Sequence, residues 1–256
     1  MRLGFPWVVV ASFCCAVSSS VVSAAEIKVL TTGAMKEIVN SIKPEFESRT
    51  GQTLSITNDT AGALARRIAA GELFDVAIIT PSVIADLVSK QKIAAGSSVV
   101  LARVGIGVMV KAGAPHPDIR TVDAFKKTLA DARTVAIIDP KSGGSSGIYL
   151  VGLFDKLGIS QQVMPKARLK QGGYVADLVV GGEADIGLHQ ISEILPVNGV
   201  SLVGPLPPEI QNFTTYAGGV SATTTNAEGA KMVLQLLAGS ATDPTLKAKG
   251  MERPPL

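Results

Sequence analysis

The chain has 256 residues, with 24 basic against 21 acidic side chains, a formal net charge of +3 and 46% hydrophobic residues. That near-neutral balance argues against a nucleic-acid partner or a polybasic membrane patch, and the length supports one large or two smaller domains. Two histidines, His116 and His189, and two adjacent cysteines, Cys14 and Cys15, do not make a metal-binding cluster, so no metal or cofactor is expected.

Residues 1–25 read as an export signal. Arg2 supplies the positive start, 7–17 a short apolar run, and small residues follow up to a cleavage point near Ala24 or Ala25. The run is too short for a permanent span. A lipoprotein is the competing reading, but Phe13 before Cys14 is the wrong residue for lipidation. The expectation is a periplasmic protein with no direct membrane insertion after signal removal. Both cysteines would leave with the signal, and with them any disulfide or thiol nucleophile.

From residue 27 the pattern alternates between strand and helix. A strand at 27–30 and a turn at 31–34 lead into a helix at 35–49, with Ile38, Val39, Ile42 and Phe46 on one side, Pro44 as a kink candidate and Gly51 as its end. A strand at 53–56 follows, then the cap-like Asn58-Asp59-Thr60 and a helix at 61–70. The strand at 74–79 precedes a helix opened by Pro81. The long valine- and glycine-rich run 99–110 reads as a strand crossing to a second unit, which repeats the grammar: a helix from Thr121, strand 135–138, helix 148–158, helix 174–181, and strands 185–188 and 200–203. Residues 213–222 cross back, and the final helix 227–239 packs on the first unit.

The stretch Asp139-Pro140-Lys141-Ser142-Gly143-Gly144-Ser145-Ser146-Gly147 stands at the centre of this plan, between a buried strand and a helix. Glycines admit a guest close to the backbone, serines add hydroxyls, and the helix start offers unpaired N–H groups. It is neither a Walker loop nor G-x-G-x-x-G, and an ordinary strand–helix connection remains the alternative.

The expected fold class is α/β: two lobes, each a parallel-type sheet with helices on both faces, and a ligand cleft between them. Lobe 1 takes residues 26–103 plus 218–256, and lobe 2 takes 104–217. Ligands of such sheets sit at strand C-termini. Four loops, 31–34, 58–62, 141–147 and 189–192, therefore face the cleft, and three of them begin helices whose dipoles favour an anion.

Three passages carry a resemblance: Val29-Leu30-Thr31-Thr32-Gly33-Ala34-Met35, Ala61-Gly62-Ala63-Leu64-Ala65-Arg66-Arg67-Ile68, and Asp139-Pro140 with Gly147-Ile148-Tyr149. They make the chain similar to periplasmic solute-binding proteins, type II, and within these to the molybdate-binding proteins of ABC importers. The resemblance implies a hinge-closing monomer that captures a small anion for a membrane permease. Its ligand positions fall at Thr32, Gly33 and Ala34, at Thr60 and Ala61, at Ser145 and Ser146, and at His189 or Gln190. Ala34, Ala61 and Gln190 stand where hydroxyl donors are usual, which leaves a tetrahedral oxyanion short of partners. Lys36, Arg66, Lys141, Arg168, Lys170 and Tyr174 lie on or near cleft-facing segments, and Lys36, Arg66 and Lys141 are taken as ligand contacts, so the site chemistry points to a di- or tricarboxylate. For each of these basic residues a solvated surface charge is the alternative.

His189 follows a buried-looking strand at a cleft loop. It is either an anion ligand, a proton-transfer group or a hydrogen-bonded structural histidine, with Glu193 four residues on to orient it. The same scaffold is similar to that of aconitate isomerase, an exported enzyme, and this resemblance implies a cofactor-free isomerase with His189 as its acid–base residue. The expected function is anion capture for an ABC importer, with that isomerase as the alternative.

Overall fold

A computed structural model describes residues 25–255, so the expected export signal lies outside the described residues except for Ala25. Strand β1 (Glu26–Thr32) leads into helix α1 (Gly33–Thr50), β2 (Thr53–Asp59), α2 (Ala61–Ala69), β3 (Val76–Ile79) and α3 (Pro81–Ser89). Then come the long β4 (Val99–Lys111), α4 (Val122–Asp131), β5 (Val135–Ile138), α5 (Ser145–Lys156) and α6 (Ser160–Val163). The chain continues through β6 (Ala167–Lys170), α7 (Ala176–Val180), β7 (Ile186–Gln190), α8 (Ile191–Ile194), β8 (Val200–Pro205) and β9 (Phe213–Val220). It ends with α9 (Ala227–Ala238), α10 (Asp243–Ala248) and β10 (Met251–Glu252).

The strands run in the order β2-β1-β3-β9-β4-β7-β5-β6, with β8 and β10 also paired to β4. Pairing is parallel in β2-β1-β3 and in β6-β5-β7, as the strand–helix alternation predicts. It is antiparallel wherever β4 or β9 takes part. These two strands carry the chain between the halves, so they run against the strands they join. Each half is centred on the same tetrapeptide, Val-Ala-Ile-Ile, in β3 and in β5. All four residues are buried in both copies, which is what a parallel strand covered on both faces demands.

The core divides with the sheet. Leu101, Ala102 and Val104 of β4 pack with the α1 stripe of Met35, Ile38, Val39, Ile42 and Phe46. Ile106, Val108 and Val110 of the same strand pack with Phe125, Leu150 and Phe154. Between them, at Gly105 and Ile106, β4 exchanges its β9 neighbour for β7 and β8. At that point the side chain of Gln211 stands in for a strand: its Oε1 accepts from the Ile106 N–H and its Nε2 donates to the Ile106 carbonyl, both at 2.9 Å.

Helix α1 runs unbroken through Pro44, which lies on its exposed face, and ends on left-handed Gly51, whose N–H returns to the Glu47 carbonyl. Helix α5 begins at Ser145, three residues earlier than its apolar spacing suggested, because Gly147 lets its first turn press directly on the Ile138 carbonyl. Tyr149 then ties α5 to the crossing segment by donating to the Ile210 carbonyl at 2.8 Å.

Candidate ligand cavity between the two halves

Six chain segments meet around one cavity of about 400 Å³ of empty space, solvent at its mouth included. From the β1 side come Thr32 and Gly33, then Asn58, Asp59, Thr60 and Ala61 from the β2–α2 junction, and Tyr216 from β9. From the β5 side come Ile138, Gly144, Ser145, Ser146 and Gly173, with His189, Gln190 and Glu193 from the β7–α8 junction. All four predicted cleft loops contribute.

Three helices of 18, 9 and 12 residues begin there: α1, α2 and α5. The caps of α1 and α5, Thr32 and Gly144, are extended and make no side-chain capping bond, so first-turn N–H groups remain for a guest. Helix α2 is capped internally, since Thr60 Oγ1 accepts from the Ala63 N–H at 3.2 Å.

Gln190 is 1% exposed and spans the site: its Nε2 donates to Thr214 Oγ1 at 2.8 Å and to Ser145 Oγ at 3.3 Å. Gln190 Oε1, Thr32 Oγ1 and His189 Nδ1 are buried without a protein partner. Such atoms cost roughly 1–3 kcal/mol each when unsatisfied, so three of them around one cavity mark it as built for a polar guest.

His189 Nε2 faces Glu193 Oε2 at 3.5 Å, with the two side chains 2% and 11% exposed. Burial is the cause of both pKa shifts. It holds the imidazole down to about 3 and pushes the carboxyl up to about 8. At neutral pH the pair is therefore a neutral imidazole beside a protonated acid. The Glu193 carboxyl also lies against Gly33, where an added Cβ would make it shift. The Tyr216 phenol is shifted up, first by burial and then by the nearby Glu193, and it lies within hydrogen-bonding reach of Ser145.

Of the residues expected at the ligand, Thr32, Gly33, Thr60, Ala61, Ser145, Ser146, His189 and Gln190 line this cavity. Ala34 instead packs in the α1 core. Lys36 Nζ sits 5.6 Å from the Tyr174 ring centroid, and Arg66 Nη2 donates to the Ser142 carbonyl at 3.2 Å. Lys141 and Arg168 are exposed, and Lys170 pairs with Asp177 at 3.1 Å. Arg66, Lys141 and Arg168 are exposed, so their charged heads keep their water. Among the described residues, no lysine or arginine lines the cavity. The lining is polar and includes the carboxyl groups of Asp59 and Glu193.

Asn58, Asp59 and Gly144 lie in loops the sequence places at the cleft, though not among its ligand residues; Ile138, Gly173 and Tyr216 were missed as lining residues, and Glu193 was read as a partner for His189 or a solvated first-turn carboxylate. Tyr216 carried one weak signal, a lone polar aromatic in the otherwise small Ala-Gly-Gly-Val context of a crossing strand.

Comparison with known proteins agrees with this architecture. Aconitate isomerase of Pseudomonas sp. is 34% identical over 233 residues, covering 89% of this chain and 87% of that enzyme. The periplasmic molybdate-binding protein of Azotobacter vinelandii superposes with a TM-score of 0.72 at 20% identity, covering 90% of this chain and all of the other. A sulfate-binding protein of Mycobacterium tuberculosis gives 0.70 at 15% identity, covering 90% of this chain and 87% of the other. With residues 27–252 matching the family's sequence model, the chain belongs to the bacterial extracellular solute-binding proteins.

Proposed function

We propose that this scaffold carries a cofactor-free isomerase of an unsaturated tricarboxylate such as aconitate. The observation that carries the reading is the buried, neutral His189 beside a protonated Glu193 at the wall of the cavity, with nothing in the protein occupying His189 Nδ1. A solute receptor needs hydrogen-bond donors. A neutral base next to a neutral acid, both buried at the cavity wall, is an arrangement that general acid–base catalysis uses. The 34% identity to an aconitate isomerase supports the same chemistry.

Moving the double bond of such an acid breaks one C–H bond and forms another. His189 takes the proton from the methylene carbon, and the electron pair delocalises onto the neighbouring carboxylate. The first-turn N–H groups of α1 and α5 and the hydroxyls of Thr32 and Ser145 face that developing charge. Glu193 delivers its proton to the former vinylic carbon, and the conformation held about the old C–CH2 single bond as its proton leaves sets the geometry of the new double bond. The imidazolium then passes a proton across the 3.5 Å gap to the Glu193 carboxylate, which restores the neutral pair.

A second reading, capture of a small anion for an ABC importer, is favoured by the uncapped starts of α1 and α5, which serve any anion equally well. Turnover separates the two. The signal-free protein incubated with trans-aconitate should produce cis-aconitate, detected by chromatography, and His189→Gln should lower kcat by about 10²–10⁴-fold while the ligand still binds. Binding with no conversion by the unaltered protein would establish the receptor reading instead.

A further inference from the structure

We infer that Gly62 and Gly143 form a backbone latch that holds the two halves shut through protein–protein contacts alone, so that access to the cavity is governed by this contact as well as by the guest. The latch lies where the start of α2 meets the loop before α5. The Gly62 N–H donates to the Gly143 carbonyl at 3.1 Å. One residue earlier, the Ser142 carbonyl accepts from Thr60 Oγ1 at 2.6 Å and from Arg66 Nη2 at 3.2 Å. Two successive carbonyls of one half thus point at the N-terminus of a helix in the other, where its dipole favours negative charge.

The approach is possible only between glycines. A Cβ on Gly62 would lie 2.7 Å from the Gly143 Cα, and a Cβ on Gly143 would lie 2.6 Å from the Gly62 Cα. Both obstacles are backbone, which cannot rotate away, so a methyl group at either position must push the halves apart. The loop that presents the carbonyls is braced from behind. Asp139 accepts from the Lys141 N–H through Oδ1 at 2.9 Å, its carbonyl receives the Ser142 hydroxyl at 2.7 Å, and Gly143 turns the chain with φ +83°. Arg66 acquires a role here that differs from carboxylate binding: it clamps the loop that closes over the site.

The test needs no ligand, so its outcome is independent of which reading of the cavity holds. Gly62 lies in the first turn of α2, where an amide without a partner exchanges fast, so protection of its hydrogen reports the latch. In Gly143→Ala, Gly62 amide exchange measured by NMR should accelerate by about tenfold or more, with the α2 interior still protected. Gly113→Ala is the control, since Gly113 has the same φ of +83° with nothing within 4 Å of its Cβ position, and it should leave Gly62 exchange unchanged. Gly62→Ala favours the helix by intrinsic propensity, so it should keep its thermal stability while small-angle scattering shows a larger radius of gyration. Unchanged Gly62 exchange in Gly143→Ala, equal acceleration in the Gly113→Ala control, or an unchanged radius of gyration in Gly62→Ala would each overturn the latch.

Discussion

Glu193 shows how a single side chain couples this cavity to pH. Burial raises its carboxyl from the usual 4.5 to about 8, while His189 is lowered from 6.5 to about 3. A carboxyl raised on folding stabilises the folded state at low pH and loses that contribution as pH climbs from about 4.5 to 8. A histidine lowered on folding does the reverse, losing stability as pH falls from about 6.5 to 3. Between about 4.5 and 6.5 the two slopes oppose each other, so stability is flat there and falls on both sides. Above pH 6.5 only Glu193 acts, at about 1.4 kcal/mol per pH unit, or about 2 kcal/mol by pH 8. Thermal melts should show that alkaline loss in the unaltered protein and its absence in Glu193→Gln. Equal alkaline losses in both would mean that Glu193 is already ionised at neutral pH. The spacing of His189 and Glu193 is plain in the sequence, but the shifts are not, because they come from neighbours that the fold brings over them.

At the scale of elements, the crossing strand β4 matters most. Its first half belongs to one core and its second half to the other, and the change of partners at Gly105 and Ile106 leaves a gap in the ladder that the Gln211 amide fills. Gly105 has no side chain because the Gln211 amide would lie 3.0–3.3 Å from any Cβ there. Gln211→Ala removes both bonds to Ile106, and urea unfolding should report a loss of about 1–3 kcal/mol. No change in the midpoint would show that water replaces the amide at no cost. The strands and long helices on either side were legible, since buried Val-Ala-Ile-Ile runs and an apolar stripe every three to four residues have few other uses. The short pieces, β6, α6, α10 and β10, were not, because two to six residues carry no period to read. The antiparallel sense of β4 and β9 also escaped, since strand direction is a property of the path and not of the residues.

For the whole molecule, stability is the quantity that binding reads. A guest that occupies the cavity binds the folded protein and not the unfolded chain. At one hundred times its dissociation constant it adds about 2.7 kcal/mol, or roughly 5–10 °C for a chain this size. A thermal-shift panel of molybdate, sulfate, citrate and both aconitates should show that rise with the aconitates. A rise with molybdate alone would mean that backbone N–H groups and Gln190 suffice for a tetrahedral oxyanion, and would turn the function toward import.

What the sequence determined by itself was the alternation of strands and helices, the two-part α/β plan, the four junction loops and the need for small residues at 143–147. Each of these follows from local chemistry: side-chain periodicity, backbone freedom and helix capping. Only the tertiary structure decided which way the basic residues face. Lys36, Arg66 and Lys141 are close to the site in sequence, yet their charged heads lie outside the cavity, because a segment fixes where a Cα goes while solvation decides where a long charged side chain ends. The same holds for Tyr216 and for the Gly62–Gly143 contact. Each joins parts of the chain distant in sequence, and no local rule reaches across that separation.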